Sequence, residues 1–484
     1  MTHCTLRFFR PALAVVGLAA LAACGGGDGI SSPPPEPARP QDARVFAPVV
    51  EATFAALSNT TVDTDRWTGV LNNAAYRVEV PKTGWNGKLV MWVHGYRGTG
   101  PNLTVDTPIM RRYLLDNGYA WAASSYTKNY YDVRAGVEDT NLLANNFAAI
   151  AMAKGRPLSA PSKIFITGVS MGGHIIGAAI DAEAQATAVN KVKYAGAVPM
   201  CGVLGDTELF NYFGGYQVAA QQLAGVPITK FPTTDFDALT PTIQAALWTS
   251  FPTQTNAQGD KLKNIVKSLS GGERPFYNEA WSNASNQNNI FASLGGDGTI
   301  RGILNDNVLD TTGLFYKVDA SSTSTTSIDT AFNTAAFKIT PTADANRLRR
   351  DGLRWIPVTS ANISIPVVSI HTLGDLFVPF KMEQVYAQRA KALGTDRFLV
   401  QRAIRDVGHC TFTAAEASTA FDDMVKWEAG GPKPAGDDVT TAATVASPTY
   451  GCGFTKNTPS AEDYTSPTAR AAFQAGYPAC PTGN

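Results

Sequence analysis

The motif GVSMG at residues 168–172 constrains the fold of this chain more than any other feature. The apolar run KIFIT (residues 163–167) precedes it, and a run with helical periodicity (residues 173–184) follows it directly. Between a strand and a helix, the glycines of a G-x-S-x-G motif permit a sharp turn that lifts the serine hydroxyl clear of a sheet. We therefore predict that Ser170 is a nucleophile; the alternative is an ordinary serine in a turn.

Strand-like and helix-like patterns alternate along much of the chain. Strands are predicted at residues 88–93, 119–125, 163–167, 193–199, 365–371 and 398–404, and helices at residues 137–153, 173–184, 382–392 and 413–428. Such alternation is typical of an α/β fold, in which helices flank a mostly parallel central sheet.

This alternation stops in the middle of the chain and again near its C-terminus. Residues 206–350 are rich in Asn, Gln, Thr and Ser and separate two strands of the predicted sheet, so we call them the insertion. The core is then expected in two parts, at residues 46–205 and 351–430. Residues 431–484 form a Thr-, Pro- and Gly-rich tail that contains cysteines.

The N-terminus has the pattern of an export signal. Arginines precede an apolar run of 13 residues that ends at Ala23, which is shorter than the roughly 20 residues needed to span a bilayer. The sequence Leu-Ala-Ala-Cys ends at Cys24 and resembles the lipobox of bacterial lipoproteins, which implies lipidation of Cys24. We predict a signal peptide at residues 1–23 and a lipidated flexible tether at residues 24–45. A secretory signal that merely contains a cysteine is the alternative.

The balance of charge limits the partners. Lys and Arg together number 40, as do Asp and Glu, so the formal net charge is zero. Nothing in this balance favours a polyanion, and nucleic acid is not expected as a partner. Membrane contact is expected only through the N-terminal lipid.

Four cysteines remain once the signal and the lipidated residue are set aside: Cys201, Cys410, Cys452 and Cys480. An even number in an oxidising compartment predicts two disulfides, for which three connectivities are possible. Cys201 and Cys410 both follow predicted strands at the same sheet edge. We therefore favour Cys201 with Cys410 and Cys452 with Cys480, and the two crossed pairings stay open.

A serine nucleophile needs a base, and the chain has only five histidines. His409 lies in a loop between the last predicted strand and the last helix, and Asp375 follows the strand at residues 365–371. We predict His409 as the base and Asp375 as its carboxylate, whereas His174 and His371 are interpreted as packed or hydrogen-bonded. Asp406 could compete for His409, although a loop cap or solvated charge is the preferred interpretation.

The chain resembles the α/β-hydrolase superfamily in four motifs and in their order. These are VHGY, GVSMGG, the loop that contains Asp375 and the Gly-His loop that contains His409. The resemblance covers residues 75–205 and 360–430, and no motif identifies a subfamily. It implies an α/β-hydrolase fold with a large inserted cap. It also implies that the backbone N–H groups of Tyr96 and Met171 bind the oxyanion, and that His94 is structural.

The export signal and the predicted residues Ser170, Asp375 and His409 together indicate an extracytoplasmic serine hydrolase. It is expected to cleave carboxylic esters through an acyl-enzyme, without a cofactor or a metal. A serine peptidase, a polyester or oligoester depolymerase and a non-catalytic surface-binding lipoprotein remain alternatives. The insertion is expected to cover the site, and its aromatic residues could line an apolar pocket or form its own core. These residues are Phe210, Tyr212, Phe213, Tyr216, Trp248, Phe276, Tyr277 and Trp281.

Overall fold

The computed structural model describes residues 34–233, 235–295 and 308–480. The predicted signal peptide and Cys24 lie outside these residues. All elements named below belong to a unit that begins at Ala38.

The described strands include an eight-stranded, mostly parallel sheet. In chain order the strands are β1 (Ala47–Pro48), β2 (Thr64–Leu71), β3 (Ala74–Pro81), β4 (Lys88–Val93), β5 (Asn102–Leu103), β6 (Ala120–Ser124), β7 (Lys163–Val169), β8 (Gly196–Met200), β9 (Trp248–Ser250), β10 (Gln254–Thr255), β11 (Val367–Thr372) and β12 (Leu399–Ile404). The sheet order is β12-β11-β8-β7-β4-β6-β3-β2. Strands β12 to β6 are parallel, and β3 runs antiparallel to both β6 and β2. The predicted α/β architecture is confirmed.

Helices cover both faces of the sheet. They are α1 (Arg111–Asp116), α2 (Val133–Ala153), α3 (Met171–Ala179), α4 (Ala182–Thr187), α5 (Glu208–Leu223), α6 (Phe236–Leu247), α7 (Ala257–Leu269), α8 (Tyr277–Trp281), α9 (Ala284–Ser293), α10 (Ser327–Ala335), α11 (Lys381–Leu393), α12 (Ala414–Glu428), α13 (Ala442–Val445) and α14 (Pro467–Gln474). Short 3₁₀ helices lie at Pro40–Ala43 and Asp396–Phe398.

Strand β4 illustrates how the core divides. Leu89, Met91 and Val93 join the apolar cluster that contains α2 and α3, whereas Val90 and Trp92 join the cluster that contains α1 and α12. Successive side chains of a strand point to opposite faces, so a continuous apolar run such as KLVMWV is buried on both sides.

The end of the predicted tether is packed rather than free. Arg39 is buried and pairs with Asp132 at 2.8 Å, the residue that caps the N-terminus of α2. Because a buried charge needs a partner, this pair holds the chain against the core before residue 46. The last residues of the predicted tether, from Arg39 onward, thus contact the core.

Among the described residues between β8 and β11, the regular elements are helices α5 to α10 and the small β9–β10 pair, joined by long irregular segments. In the described ranges, no helix combines the length and the apolar character that crossing a bilayer requires.

Candidate active site

A single residue, Ser170, makes the turn from β7 into α3. Its φ is 59°, a region that residues with side chains rarely occupy. A Cβ atom at Gly168 would lie 2.0 Å from the carbonyl oxygen of Val93, and one at Gly172 would lie 2.2 Å from the same atom. Glycine is therefore required on both sides of Ser170 because the end of β4 passes so closely.

Two hydrogen bonds join Ser170, His409 and Asp375. Nε2 of His409 lies 2.8 Å from Oγ of Ser170, and Nδ1 lies 2.6 Å from Oδ2 of Asp375. Asp375 is buried, and its Oδ1 accepts the N–H groups of Phe377 and Val378 at 2.9 Å each. A carboxylate only accepts hydrogen bonds, so Nδ1 of His409 carries the proton between them. The Nε2 lone pair then faces the serine hydroxyl and can take its proton.

The three side chains come from one edge of the sheet. Ser170 follows β7, Asp375 follows β11 and His409 follows β12, all at the carboxyl ends of parallel strands. A serine at a sharp strand-to-helix turn, followed along the chain by an acid and then a histidine, is the arrangement of one superfamily. The chain has the α/β-hydrolase fold.

In this hydrolase fold the loop after β4 lies against the nucleophile. A Cβ atom at Gly95 would lie 2.9 Å from Cβ of Ser170 and 3.4 Å from its Oγ. Tyr96 follows Gly95 in that loop, and Met171 is the first residue of α3. Met171 thus adjoins Ser170 along the chain, and Tyr96 adjoins the glycine that approaches it.

His94 packs against the loop that follows β4. It is buried, its Nδ1 lies 2.7 Å from the carbonyl oxygen of Gly95, and its ring stacks on Tyr126 at 4.1 Å between centroids. Burial, together with the nearby Arg97 charge, lowers the pKa of His94 to about 4. The ring is thus neutral at pH 7, and its contacts are those of a structural residue.

A disulfide joins Cys201 to Cys410, and a second joins Cys452 to Cys480. These are the pairs favoured from the sequence. Cys410 directly follows His409, and its Sγ lies 3.3 Å from Nε2 of that ring. Cys201 directly follows Met200, whose carbonyl accepts the backbone N–H of Ser170. The first disulfide therefore ties the histidine loop to the strand that supports the nucleophile.

The insertion also holds the histidine and acid loops, which the sequence analysis does not anticipate. Asn286 on α9 is buried, and its amide donates to the carbonyl oxygens of Gly374 at 3.3 Å and Val407 at 3.0 Å. Gly374 adjoins Asp375, and Val407 lies two residues before His409. One side chain of the insertion thus bridges the two loops, and nothing in a segment rich in Asn and Gln distinguishes it by sequence.

Two more side chains of the insertion bond to the acid loop. The Nε of Arg274 donates to the carbonyl of Leu373 at 2.6 Å, and the hydroxyl of Tyr212 donates to that of Leu376 at 2.9 Å. Both donors are buried. The backbone on either side of Asp375 is therefore fixed by the insertion.

The aromatic residues of the insertion pack mainly on one another. Trp281 stacks on Trp248 at 5.7 Å and on Tyr216 at 6.5 Å, and all three are buried. One contact leads to the site: Phe213 packs on Phe377, whose ring lies 5.3 Å from that of His409. Tyr216, Trp248 and Trp281 thus belong to the insertion's own core, whereas Phe210 packs on Tyr131 and Phe276 packs on Tyr477 of the tail.

The other candidate residues have separate partners. His174 is buried between the hydroxyl of Tyr131 at 2.9 Å and the carbonyl of Pro357 at 2.7 Å. Asp406 is not a solvated charge: it is buried and pairs with Arg470 of the tail at 2.7 Å. It therefore does not compete for His409.

One group of described side chains, Cys201, His409 and Cys410, is close enough to suggest a metal site, with ligand atoms within 4.8 Å of one another. The two sulfur atoms are bonded to each other, so they supply no thiolate.

No protein-family profile matches the chain. The o-phthalyl amidase of Xanthobacter agilis is 32% identical over 62 residues, which is 13% of this chain and 14% of the amidase. The chain therefore matches about one seventh of that relative's length.

Several solved structures are similar to this chain at low identity. Feruloyl esterase B from Aspergillus oryzae is 14% identical with a TM-score of 0.40, over 81% of this chain and 86% of the esterase. Candida antarctica lipase A in its closed state is 14% identical with a TM-score of 0.37, over 85% of each chain. An acylaminoacyl peptidase from Pyrococcus horikoshii is 10% identical with a TM-score of 0.38, over 79% of this chain and 44% of the peptidase. The fold assignment rests on the chain's own sheet order and strand-to-helix turn.

Proposed function

We propose that this protein is a serine hydrolase that cleaves carboxylic esters through Ser170, His409 and Asp375. The observation that carries the proposal is the pair of hydrogen bonds from Ser170 Oγ to His409 at 2.8 Å and from His409 to Asp375 at 2.6 Å. A hydroxyl becomes an effective nucleophile when a positioned base removes its proton. The buried carboxylate fixes the ring and stabilises the imidazolium that forms.

In the first half of the reaction, Oγ of Ser170 attacks the ester carbonyl carbon while its proton passes to Nε2 of His409. The tetrahedral intermediate then expels the alcohol, which receives that proton, and an acyl-Ser170 ester remains. In the second half, His409 takes a proton from water as the water attacks the acyl carbon. The acid leaves and the proton returns to Oγ.

The backbone N–H groups of Tyr96 and Met171 would donate to the developing oxyanion. The close approach of Gly95 to Ser170 supports a role for the loop after β4, and the position of Met171 at the start of α3 supports the second donor. The apolar ring of Phe377 beside His409 supports an acyl or aromatic group at this side of the site.

A fluorophosphonate probe tests the proposal directly, since it labels activated serine nucleophiles. We expect one label on Ser170 in the wild-type protein and none in Ser170→Ala. Only protein that keeps Ser170 should hydrolyse p-nitrophenyl esters. Ser360→Ala, a serine bonded to Asp181 away from the triad, is the matched control and should label normally. Absence of labelling in folded wild-type protein would favour a binding lipoprotein.

Amide cleavage is a second candidate, favoured by the 62-residue likeness to o-phthalyl amidase. The same triad can expel an amine, because His409 can protonate it. Matched esters and anilides of one aromatic acid, together with peptides, would separate the two functions by kcat/KM. A higher kcat/KM for the anilide would replace the ester proposal.

We further propose that the protein is exported and anchored by lipid on Cys24. The two disulfides are consistent with an extracytoplasmic protein. Cys24→Ala should move the protein from the membrane fraction to a soluble exported one with its activity per molecule unchanged. Continued membrane association would require another anchor.

A further inference from the structure

A second histidine lies behind the triad, on β11. His371 is fully buried, and its Nε2 is 3.7 Å from Oδ2 of Asp375, the same oxygen that accepts from His409. On its other side, Nδ1 is 3.3 Å from Oε1 of Glu383, a buried residue of α11. The imidazole therefore lies between two buried carboxyl groups, one of which belongs to the triad.

The partners of His371 determine where its protons are. Nε2 lies 2.8 Å from the carbonyl oxygen of Val378, which can only accept, so this nitrogen carries a proton. Nδ1 faces Glu383, which is either a carboxylate that accepts from an imidazolium or a carboxylic acid that donates to a neutral ring. The protonation state of Glu383 decides between these two forms.

Two donors converge on the other oxygen of that carboxyl group. Oε2 of Glu383 accepts the hydroxyl of Ser369 at 2.6 Å and the side-chain amide of Gln401. Hydrogen bonds to a carboxyl oxygen favour the ionised form. With Glu383 in its ionised form, Nδ1 of His371 donates to Glu383 while Nε2 donates to Val378, so both ring nitrogens carry a proton.

The surrounding groups agree with this assignment. Burial alone would lower the pKa of His371, but the Glu383 and Asp375 carboxylates outweigh it and raise that pKa. From the neighbouring elements, Tyr386 and Tyr450 face Glu383, and burial raises the pKa of each phenol so that both stay neutral.

From the insertion, Arg274 and Tyr212 face Asp375. Arg274 is a second buried cation near the triad carboxylate, and it bonds to the Leu373 carbonyl rather than to a carboxyl group. The Tyr212 phenol is neutral, because burial raises its pKa. His371 is thus the titratable group that approaches Asp375 from the strand side.

We propose that His371 is a positioning residue for the triad: a buried imidazolium, held by Glu383, that fixes the charge on Asp375 and limits the basicity of His409. The inference rests on the proposed hydrolase function. Asp375 alone would make His409 hold a proton more tightly, whereas a cation behind Asp375 offsets part of that effect.

Glu383→Gln tests this, because it keeps the size of the side chain and removes the anion that holds the proton on His371. The positive end of the His371–Glu383 pair faces the triad, so its loss should make His409 easier to protonate. The acid limb of the kcat/KM profile should shift upward by about half a pH unit, an estimate for charges at an effective dielectric constant of 20. The rate on the alkaline side should change little.

The double variant His371→Gln/Glu383→Gln provides a second measure. If His371 acts through its charge, the double variant should have the same acid limb as Glu383→Gln. Glu428→Gln, which removes the partner of Lys163 at the far end of β7, is the matched control and should leave the limb unchanged. An unshifted limb in folded, active Glu383→Gln would overturn the proposal.

¹⁵N NMR of histidine-labelled wild-type protein decides the matter without a variant and so does not depend on folding of Glu383→Gln. We expect both ring nitrogens of His371 to be protonated at pH 7, and a neutral His371 would overturn the proposal. If wild-type protein neither labels with fluorophosphonate nor hydrolyses esters, the proposed function fails, while the NMR result still reports the state of His371.

Discussion

Oγ of Ser170 and Nε2 of His409 lie 2.8 Å apart, although 239 residues separate them along the chain. The distance depends on two loops that leave the same edge of one sheet, and on the groups that hold those loops. A displacement of about 1 Å at such a contact can cost 100-fold in rate. Both the reacting side chains and the groups that hold them can therefore be tested by mutation.

Removal of the triad should abolish turnover without unfolding the protein. We expect Ser170→Ala and His409→Ala to lower kcat for an ester by about four to six orders of magnitude. Asp375→Asn should cost about 10⁴-fold, because an amide favours the wrong tautomer of His409. Steady-state kinetics with circular dichroism checks this, and a folded variant that keeps a tenth of wild-type activity would exclude its residue from the mechanism.

Gly95→Ala should reduce activity while leaving stability nearly unchanged. The new Cβ would lie 2.9 Å from Cβ of Ser170, so the loop or the nucleophile must move. We expect a fall in kcat/KM of about 100-fold. Gly100→Ala is the control in the same loop, since a Cβ there meets no atom within 4 Å. Equal activities of the two variants would mean that the loop has room to adjust.

The two disulfides should contribute similarly to stability and differently to catalysis. They close loops of 209 and 28 residues, for which the chain-entropy model gives about 5 and about 4 kcal/mol. Loss of the Cys201–Cys410 bond should also lower kcat more than tenfold, because the sulfur of Cys410 packs on the His409 ring. Denaturant unfolding and kinetics of the two double Cys→Ala variants check this. Equal kcat values would show that the histidine loop holds its position unaided.

Asn286→Ala should impair both stability and activity. It removes the side-chain amide that donates to the carbonyl oxygens of Gly374 and Val407, and to that of Ala280, which also accepts the N–H of Asn283. A buried acceptor left without a partner costs about 1–3 kcal/mol, so a loss of about 3 kcal/mol in the free energy of unfolding is expected. Asn288→Ala, at an exposed position of the same helix, should change neither quantity. A wild-type kcat in Asn286→Ala would mean that the two loops do not need this bridge.

The sequence predicted the parts of the site that follow apolar strands. The strand predicted from KLVMWV has the same bounds as β4. Ser170, Asp375 and His409 each follow a predicted strand closely. Strand ends at one edge of a parallel sheet must converge, so local patterns were sufficient to bring these three residues together.

Elements with mixed polarity were harder to predict. The β2–β3 pair turns at Asn72 and Asn73, both with positive φ, and β2 alternates imperfectly because it lies at the sheet edge. Helix α2 begins at Val133, four residues before its apolar periodicity, because Asp132 accepts the N–H of Ala135.

Contacts between distant segments left no local pattern at all. Asp406 was interpreted as a loop or solvent residue because its partner, Arg470, lies 64 residues further along the chain. The role of Asn286 depends on carbonyl groups 88 and 121 residues away. Such partners become visible only when the fold is known.

The bonds from Asn286, Arg274 and Tyr212 all end on main-chain carbonyl groups of the acid and histidine loops. Every amino acid presents such a carbonyl, so these contacts depend on the path of the loops and not on their side chains. Residues of the loops that face a substrate are thus free to change without loss of this support. The support and the selectivity of the site can therefore diverge separately in evolution, one in the insertion and the other in the loops.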